Sequence, residues 1–363
     1  MLYYFLFPLR EFFSGFNVFK YITFRSAMAA MTTFFICILF GEKVIKKLAL
    51  LRVCENVRKK EEVRGLYELH HHKQGTPTMG GLMMVGAVIL ATLLWGDLEN
   101  KYIQLALVSI FWLGFVGFAD DFIKLKMKRS KGLSAKAKFI GQISLGLVVG
   151  VILYLDPNQS TTLDVPFLKN VAFDLGIFYI FFVMLVIVGT SNAVNLTDGL
   201  DGLATGCLLV VSFSYGILSY LSGHLRFSQY LLIPYIDGVG ELTVFCAALI
   251  GACLGFLWFN CHPASVFMGD VGSLALGGAI GLVAVLIKKE LLLVIVGGIF
   301  VIEALSVILQ VGSFKLRKKR IFKMAPLHHH FQMLGWPEEK IIVRFWIIAI
   351  ILALFTLTTL KLR

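Results

Sequence analysis

Apolar runs of near-membrane length alternate with short polar connections along almost the whole chain. A helix needs roughly 20 mostly apolar residues to cross the hydrocarbon of a bilayer. Ten segments approach that length: 20–41, 79–96, 102–119, 137–155, 173–191, 202–221, 240–259, 272–287, 291–311 and 341–360. None alternates with the period of two that barrel strands require, and only helices or closed barrels satisfy their backbone in lipid. The expected fold is a single all-α integral membrane domain, residues 1–363, with about ten transmembrane helices. The connection 156–172, DPNQSTTLDVPFLKNVA, carries turn residues and β-formers and is a candidate for a small hairpin. No internal repeat of the kind found in many transporters is visible.

Composition agrees, with 58% hydrophobic and only 15% charged residues, too few to clothe a soluble core. The net charge of +12 is concentrated rather than spread. Of the alternate connections 42–76, 120–136, 192–201, 260–271 and 312–340, the first, second and last hold 22 of the 34 Lys and Arg, as in KLRKKRIFK at 315–323, whereas the opposite side has only scattered ones. The positive-inside rule places these in the cytoplasm and both termini outside. The surplus charge therefore answers to anionic lipid, and no nucleic-acid partner is expected. The six cysteines show no CxxC spacing and read as packing residues. The start, MLYYFLFPLREFF, has no basic leader or small-residue cleavage site, and reads as an interfacial anchor.

All candidate chemistry falls in the basic, cytoplasmic set. ADDFIK carries Asp120 and Asp121, whose side chains point about 100° apart on a helix, with Lys124 following. The ordinary reading of that trio is an interfacial ion pair. NAVNLTDGLDG places Asn192, Asn195, Asp198 and Asp201 three residues apart, with no basic residue beside them. An ordinary turn, with Asp198 capping the following helix, competes with a site that awaits something positive. FMGDVGS sets Asp270 at a span entry, again without a neighbouring base. Hard carboxylate oxygens from separate connections, without paired thiols, suit Mg²⁺ better than zinc. His262 nearby reads as structural, and Glu303 as a group facing the bundle interior. KQGTPTMGG offers Lys73 and Thr78 to a phosphate, without the spacing of a P-loop. APLHHHF contributes His328, His329 and His330, and a second tract holds His70, His71 and His72.

In this order, KQGTPTMGG, ADDFIK, NAVNLTDGLDGLA, FMGDVGS and APLHHHF resemble the polyprenyl-phosphate N-acetylhexosamine-1-phosphate transferase superfamily. GTPTMGG and PLHHHF are similar to its muramoyl-pentapeptide branch. The resemblance spans essentially the whole chain, except for His70–His72, onto which no role is carried. It implies ten transmembrane helices, a homodimer in the bacterial inner (cytoplasmic) membrane, Mg²⁺ and a cytoplasmic active site. It further implies transfer from UDP-MurNAc-pentapeptide to undecaprenyl phosphate, giving lipid I and UMP. By motif, Asp120 and Asp121 match the catalytic pair and Asp270 the Mg²⁺ aspartate; in the mechanism these residues support, Asp121 is expected to orient or share the metal. Asn192, Asn195, Asp198, Asp201 and Phe267 match pocket-lining positions. Lys73, Thr78, Lys124, His328, His329 and His330 match residues of substrate binding or catalysis, His328 among the catalytic ones.

Direct in-line attack by the lipid phosphate is the expected route, with Asp120 accepting or positioning its proton; a covalent aspartyl intermediate is the rival. Two other readings stand beside this one. A UDP-N-acetylglucosamine:polyprenyl-phosphate transferase would share the aspartate motifs. A cation-coupled transporter would use membrane carboxylates, but near the midplane rather than at span ends.

Overall fold

The computed structural model describes residues 2–51, 73, 75–126, 132–166 and 172–361. Its helices are α1 (Leu2–Leu6), α2 (Ile22–Leu50), α3 (Gly81–Trp95), α4 (Lys101–Lys126), α5 (Ala135–Leu155), α6 (Phe178–Thr197), α7 (Leu203–Ser222), α8 (Leu225–Leu231), α9 (Leu242–Asn260), α10 (Gly269–Leu286), α11 (Glu290–Val296), α12 (Gly298–Arg317), α13 (Leu327–Gln332) and α14 (Glu338–Thr358). Nine helices among the described residues are long and apolar enough to cross a membrane. The expected tenth, α3, is apolar but shorter, at 15 residues. Two short strands, β1 (Thr162–Asp164) and β2 (Ala172–Asp174), pair antiparallel between α5 and α6. The tract His70–His72 lies outside the described residues.

α10 is the central post, buried at every residue from Val271 to Leu286. It packs against α4 and α6, while α9 packs between α2 and α7. The outer helices expose large apolar side chains instead: Met31, Phe35 and Leu39 on α2, and Ile347, Ile351 and Leu354 on α14. An apolar surface of that extent is the normal exterior of a protein dissolved in lipid.

Two corrections to the span boundaries position the chemistry. α4 runs on through Asp120, Asp121 and Lys124, and α6 through Asn192 and Asn195, so these residues occupy helical turns and not loops. Hydropathy ends where lipid contact ends, whereas the helical hydrogen bonds continue beyond it. The run 291–311 is not one helix; it breaks at Gly297 into α11 and α12, where backbone at φ −87°, ψ 20° interrupts the ladder. Asp198 does not cap α7. It ends α6, and Gly202, at φ +77°, precedes α7.

Glycines let the acid-bearing helices touch. A β-carbon on Gly81 would collide with the backbone of Gly272, and one on Gly117 with the carbonyl of Asp270. α3 and α4 thus meet α10 backbone to backbone at its first turns.

Candidate active site

Asp120 and Asp121 leave the last turns of α4, and Asp270 leaves the first turn of α10. Ligand oxygens of the three lie within 4.8 Å of one another. Asp270 is not without basic partners. Lys124 Nζ stands 2.8 Å from Asp270 Oδ2, 2.6 Å from Asp120 Oδ2 and 3.3 Å from Asp121 Oδ1. Lys138 Nζ, from the first turn of α5, approaches Asp270 Oδ2 to 2.7 Å. Asn195 donates to Asp270 Oδ1 at 2.6 Å and to Ser273 Oγ at 2.8 Å. The backbone N–H of Val271 donates to Asp121 Oδ2 at 3.2 Å, and that of Leu133 to Asp120 Oδ1 at 2.8 Å. Asn192, one turn before Asn195, faces away and donates to Gln142 Oε1 at 2.8 Å.

The segment before α10 is fastened to the Thr78 stretch by backbone bonds. Phe267 N–H donates to Pro77 O at 2.8 Å, and Gly80 N–H returns to Phe267 O at 2.9 Å. Gly269 then adopts φ +73°, and a side chain there would stand 2.8 Å from Asp121 Oδ2 and 3.0 Å from Thr78 Oγ1. Only glycine suits both the conformation and the crowding. Thr78 is thereby held beside the acids.

A second cluster adjoins the first through Phe267, whose ring centre is 6.0 Å from Lys73 Nζ. Lys73 donates at 2.6 Å to Asp201 Oδ1 and at 2.6 Å to Glu338 Oε1. His262 Nδ1 lies 3.0 Å from Asp201 Oδ2, which also accepts from Ala264 N–H at 3.0 Å. Burial opposes ionisation of Asp201. The hydrogen bond and charge of Lys73 outweigh it, helped by Ala264 and His262, and hold the carboxyl below its ordinary value. The expectation that Asp201 awaits an external positive charge is therefore corrected: Lys73 already supplies one.

The third group is His328, fully buried on α13. Its N–H donates to Glu303 Oε1 at 3.1 Å, and its Nδ1 lies 3.1 Å from Glu303 Oε2. The remaining Nε2 makes no hydrogen bond among the described residues and abuts Gly199, in the turn between Asp198 and Asp201. His329 Nδ1 contacts Gln332 Oε1 at 2.8 Å, and His330 Nδ1 accepts Lys323 N–H at 3.1 Å.

The carboxylates thus form two groups at one end of the bundle. Asp120, Asp121 and Asp270 offer hard oxygens suited to Mg²⁺, with lysine ammonium groups among them. Sequence reasoning did not single out Lys138 or Glu338 and left Glu303 without a partner. A lysine in the first turn of an apolar span, and acids in the first turn of another, were the available signals.

Residues 103–288 match the profile described as Glycosyl transferase family 4. The chain is 52% identical to the phospho-N-acetylmuramoyl-pentapeptide-transferase of Desulforapulum autotrophicum over the whole of both chains. It is 54% identical to those of Desulfotalea psychrophila, again over the whole of both, and Methylacidiphilum infernorum, over 96% of both. The chain belongs to the phospho-N-acetylmuramoyl-pentapeptide-transferase family. Asp120, Asp121, Asp201 and Asp270 fall inside the matched region, whereas Lys73, Glu303, His328 and Glu338 reach the site from outside it. The candidate site is therefore assembled from that region and from residues on both sides of it. The apolar helices make this member of the family a multi-pass membrane protein.

Proposed function

We propose that the protein transfers phospho-N-acetylmuramoyl-pentapeptide from its UDP conjugate to undecaprenyl phosphate, giving lipid I and UMP at the cytoplasmic face of the bacterial inner membrane. Full-length identity of 52–54% to relatives bearing that name carries the reading. The donor side is read onto Lys73, Phe267, Asn192, Asp198, Asp201 and the His328–His330 segment. The acceptor side is read onto the Asp120 end. A cavity of about 240 Å³ between α6, α10, α11 and α12 supports that reading. Its walls are mostly apolar, including Leu185, Val194, Leu293 and Phe300, with Thr190 and Glu290 among them, and Val194 precedes Asn195, which binds Asp270. The acceptor's hydrocarbon fits its chemistry. Assembly as a homodimer is part of the same proposal.

The reaction exchanges one pyrophosphate linkage for another, so the obstacle is approach rather than driving force. Two unit charges about 4 Å apart repel by roughly 4 kcal/mol at an effective dielectric of 20. Mg²⁺ held by Asp270 and Asp121 would supply Lewis-acid charge neutralisation on the diphosphate. Lys124 and Lys138 neutralise the entering phosphates from the protein side. Asp120, fixed by Leu133 N–H, positions the lipid phosphate and takes up its proton. Thr78 and Asn195 orient groups beside the acids. Glu303 holds His328 with Nε2 toward the Gly199 turn, where the imidazole can meet a donor phosphate or sugar.

The test supplies purified protein with undecaprenyl phosphate, Mg²⁺ and each UDP-sugar in turn, and measures UMP. Release from the muramoyl-pentapeptide donor is expected; release from UDP-N-acetylglucosamine alone would refute the assignment. Removing the metal with EDTA should stop turnover and Mg²⁺ should restore it. Labelled sugar-phosphate trapped on the protein without acceptor would overturn direct attack.

A further inference from the structure

The residue that ties the Lys73 cluster together belongs to none of the motifs. Glu338 opens α14, a position where a carboxylate ordinarily just complements the helix dipole. Here its Oε1 receives two donors from distant parts of the chain: Lys73 Nζ at 2.6 Å and the backbone N–H of Asp201 at 2.9 Å. Lys73 closes the triangle with its 2.6 Å bond to Asp201 Oδ1. Lys73 and Asp201 are buried and the Glu338 side chain is only 10% exposed, so these contacts largely escape the solvent screening that weakens surface ion pairs. Two of the three ammonium donors are engaged by carboxylates, which fixes the direction of the remaining one.

We propose that Glu338 is a positioning residue for the UDP-sugar donor. It sets the ammonium of Lys73 and the backbone of the Asp198–Asp201 turn relative to one another, and acts through them. The inference rests on the reading that Lys73 and Asp201 face the donor. Glu338 bonds to neither Lys124 nor Lys138, the lysines that contact the reacting end. Its loss should therefore weaken donor capture while leaving acceptor capture alone. The adjacent Glu339 is a built-in control: it carries the same charge, but its side chain is 61% exposed and, among the described residues, reaches His262 Nε2 at 3.1 Å rather than Lys73.

The experiment uses full-length protein and UMP release, varying the muramoyl-pentapeptide donor and undecaprenyl phosphate separately. E338Q keeps an oxygen for Asp201 N–H but removes the charge opposite Lys73. Its donor KM should rise about tenfold, the loss expected for one buried charge-assisted hydrogen bond. The acceptor KM should stay at the wild-type value, E338D should recover part of the loss, and E339Q should behave as wild type. A residue that merely starts a helix would alter folded yield without splitting the two KM values. An unchanged donor KM in E338Q, or equal rises for both substrates, overturns the inference. Where E338Q fails to fold, E338D is judged by the same split. A wild-type protein that releases no UMP removes the functional reading and this inference with it. An active wild type with an unaltered E338Q removes the inference alone.

Discussion

Gly199 lies so close to the imidazole of His328 that a β-carbon at 199 would collide with Nε2 of the ring. The histidine cannot retreat, because Glu303 holds it from behind through both its backbone N–H and Nδ1. G199A should therefore push the Asp198–Asp201 turn away from the ring while leaving the helices intact. We expect kcat to fall roughly 100-fold, the scale of a misplacement near 1 Å in a working site. UMP release together with thermal stability in detergent checks this; full activity in a folded G199A would exclude a working role for Nε2.

Lys138 presses a second ammonium against Asp270. In K138M the carboxylates lose a competing cation, so half-saturation with Mg²⁺ should move to lower concentration, by a factor on the order of ten. Maximal turnover should fall, because the phosphates lose a neutralising charge. A metal titration of the rate reads both. A maximal rate equal to wild type would leave Lys138 as a mere counter-ion.

At the opposite ends of α3 and α9, Arg25 grips Glu241 through two bonds of 2.6 and 2.7 Å and reaches Trp95 O at 3.2 Å. The group is buried. R25M strands a carboxylate and should cost about 3–5 kcal/mol of stability. KM and kcat of the surviving folded fraction should be unchanged. Denaturation midpoints set against specific activity separate the two effects.

Asp201 has its folded pKa held below the ordinary carboxyl value. A depressed pKa contributes stability that is fully present above the unfolded pKa of about 3.9 and is lost as pH falls through the folded value. The melting-temperature gap between wild type and D201N should thus be constant from about pH 7 to 5 and narrow below about pH 4. A gap that already closes near pH 6 would mean that Lys73 does not hold the charge.

The helices were legible because each apolar run must satisfy its own backbone in lipid: eight of the ten segments returned as single long helices, 79–96 as a shorter one and 291–311 as two. The ends were less so. The expected span 102–119 stops short of Asp120, Asp121 and Lys124, which continue α4, since charge marks the water boundary and not the end of a helix. Within the site, the acids were identifiable by type and spacing, but their partners were not. Lys73 and Asp201 are 128 residues apart, and Lys138 and Asp270 132 apart. No local pattern records such a pairing, which exists only after the bundle has closed. Glu303 and His328 are nearer, at 25 residues, yet the end of α12 and a loop intervene.

The glycine contacts that seat α3 and α4 on α10 leave the carboxylate frame almost no slack. Rearranging rotamers cannot widen a gap set by main chain against main chain. Such a frame suits an ion of small radius with strict octahedral habits, and resists Ca²⁺, which takes more ligands at longer bonds. Selectivity between the two alkaline-earth ions would then be written in residues that carry no side chain at all.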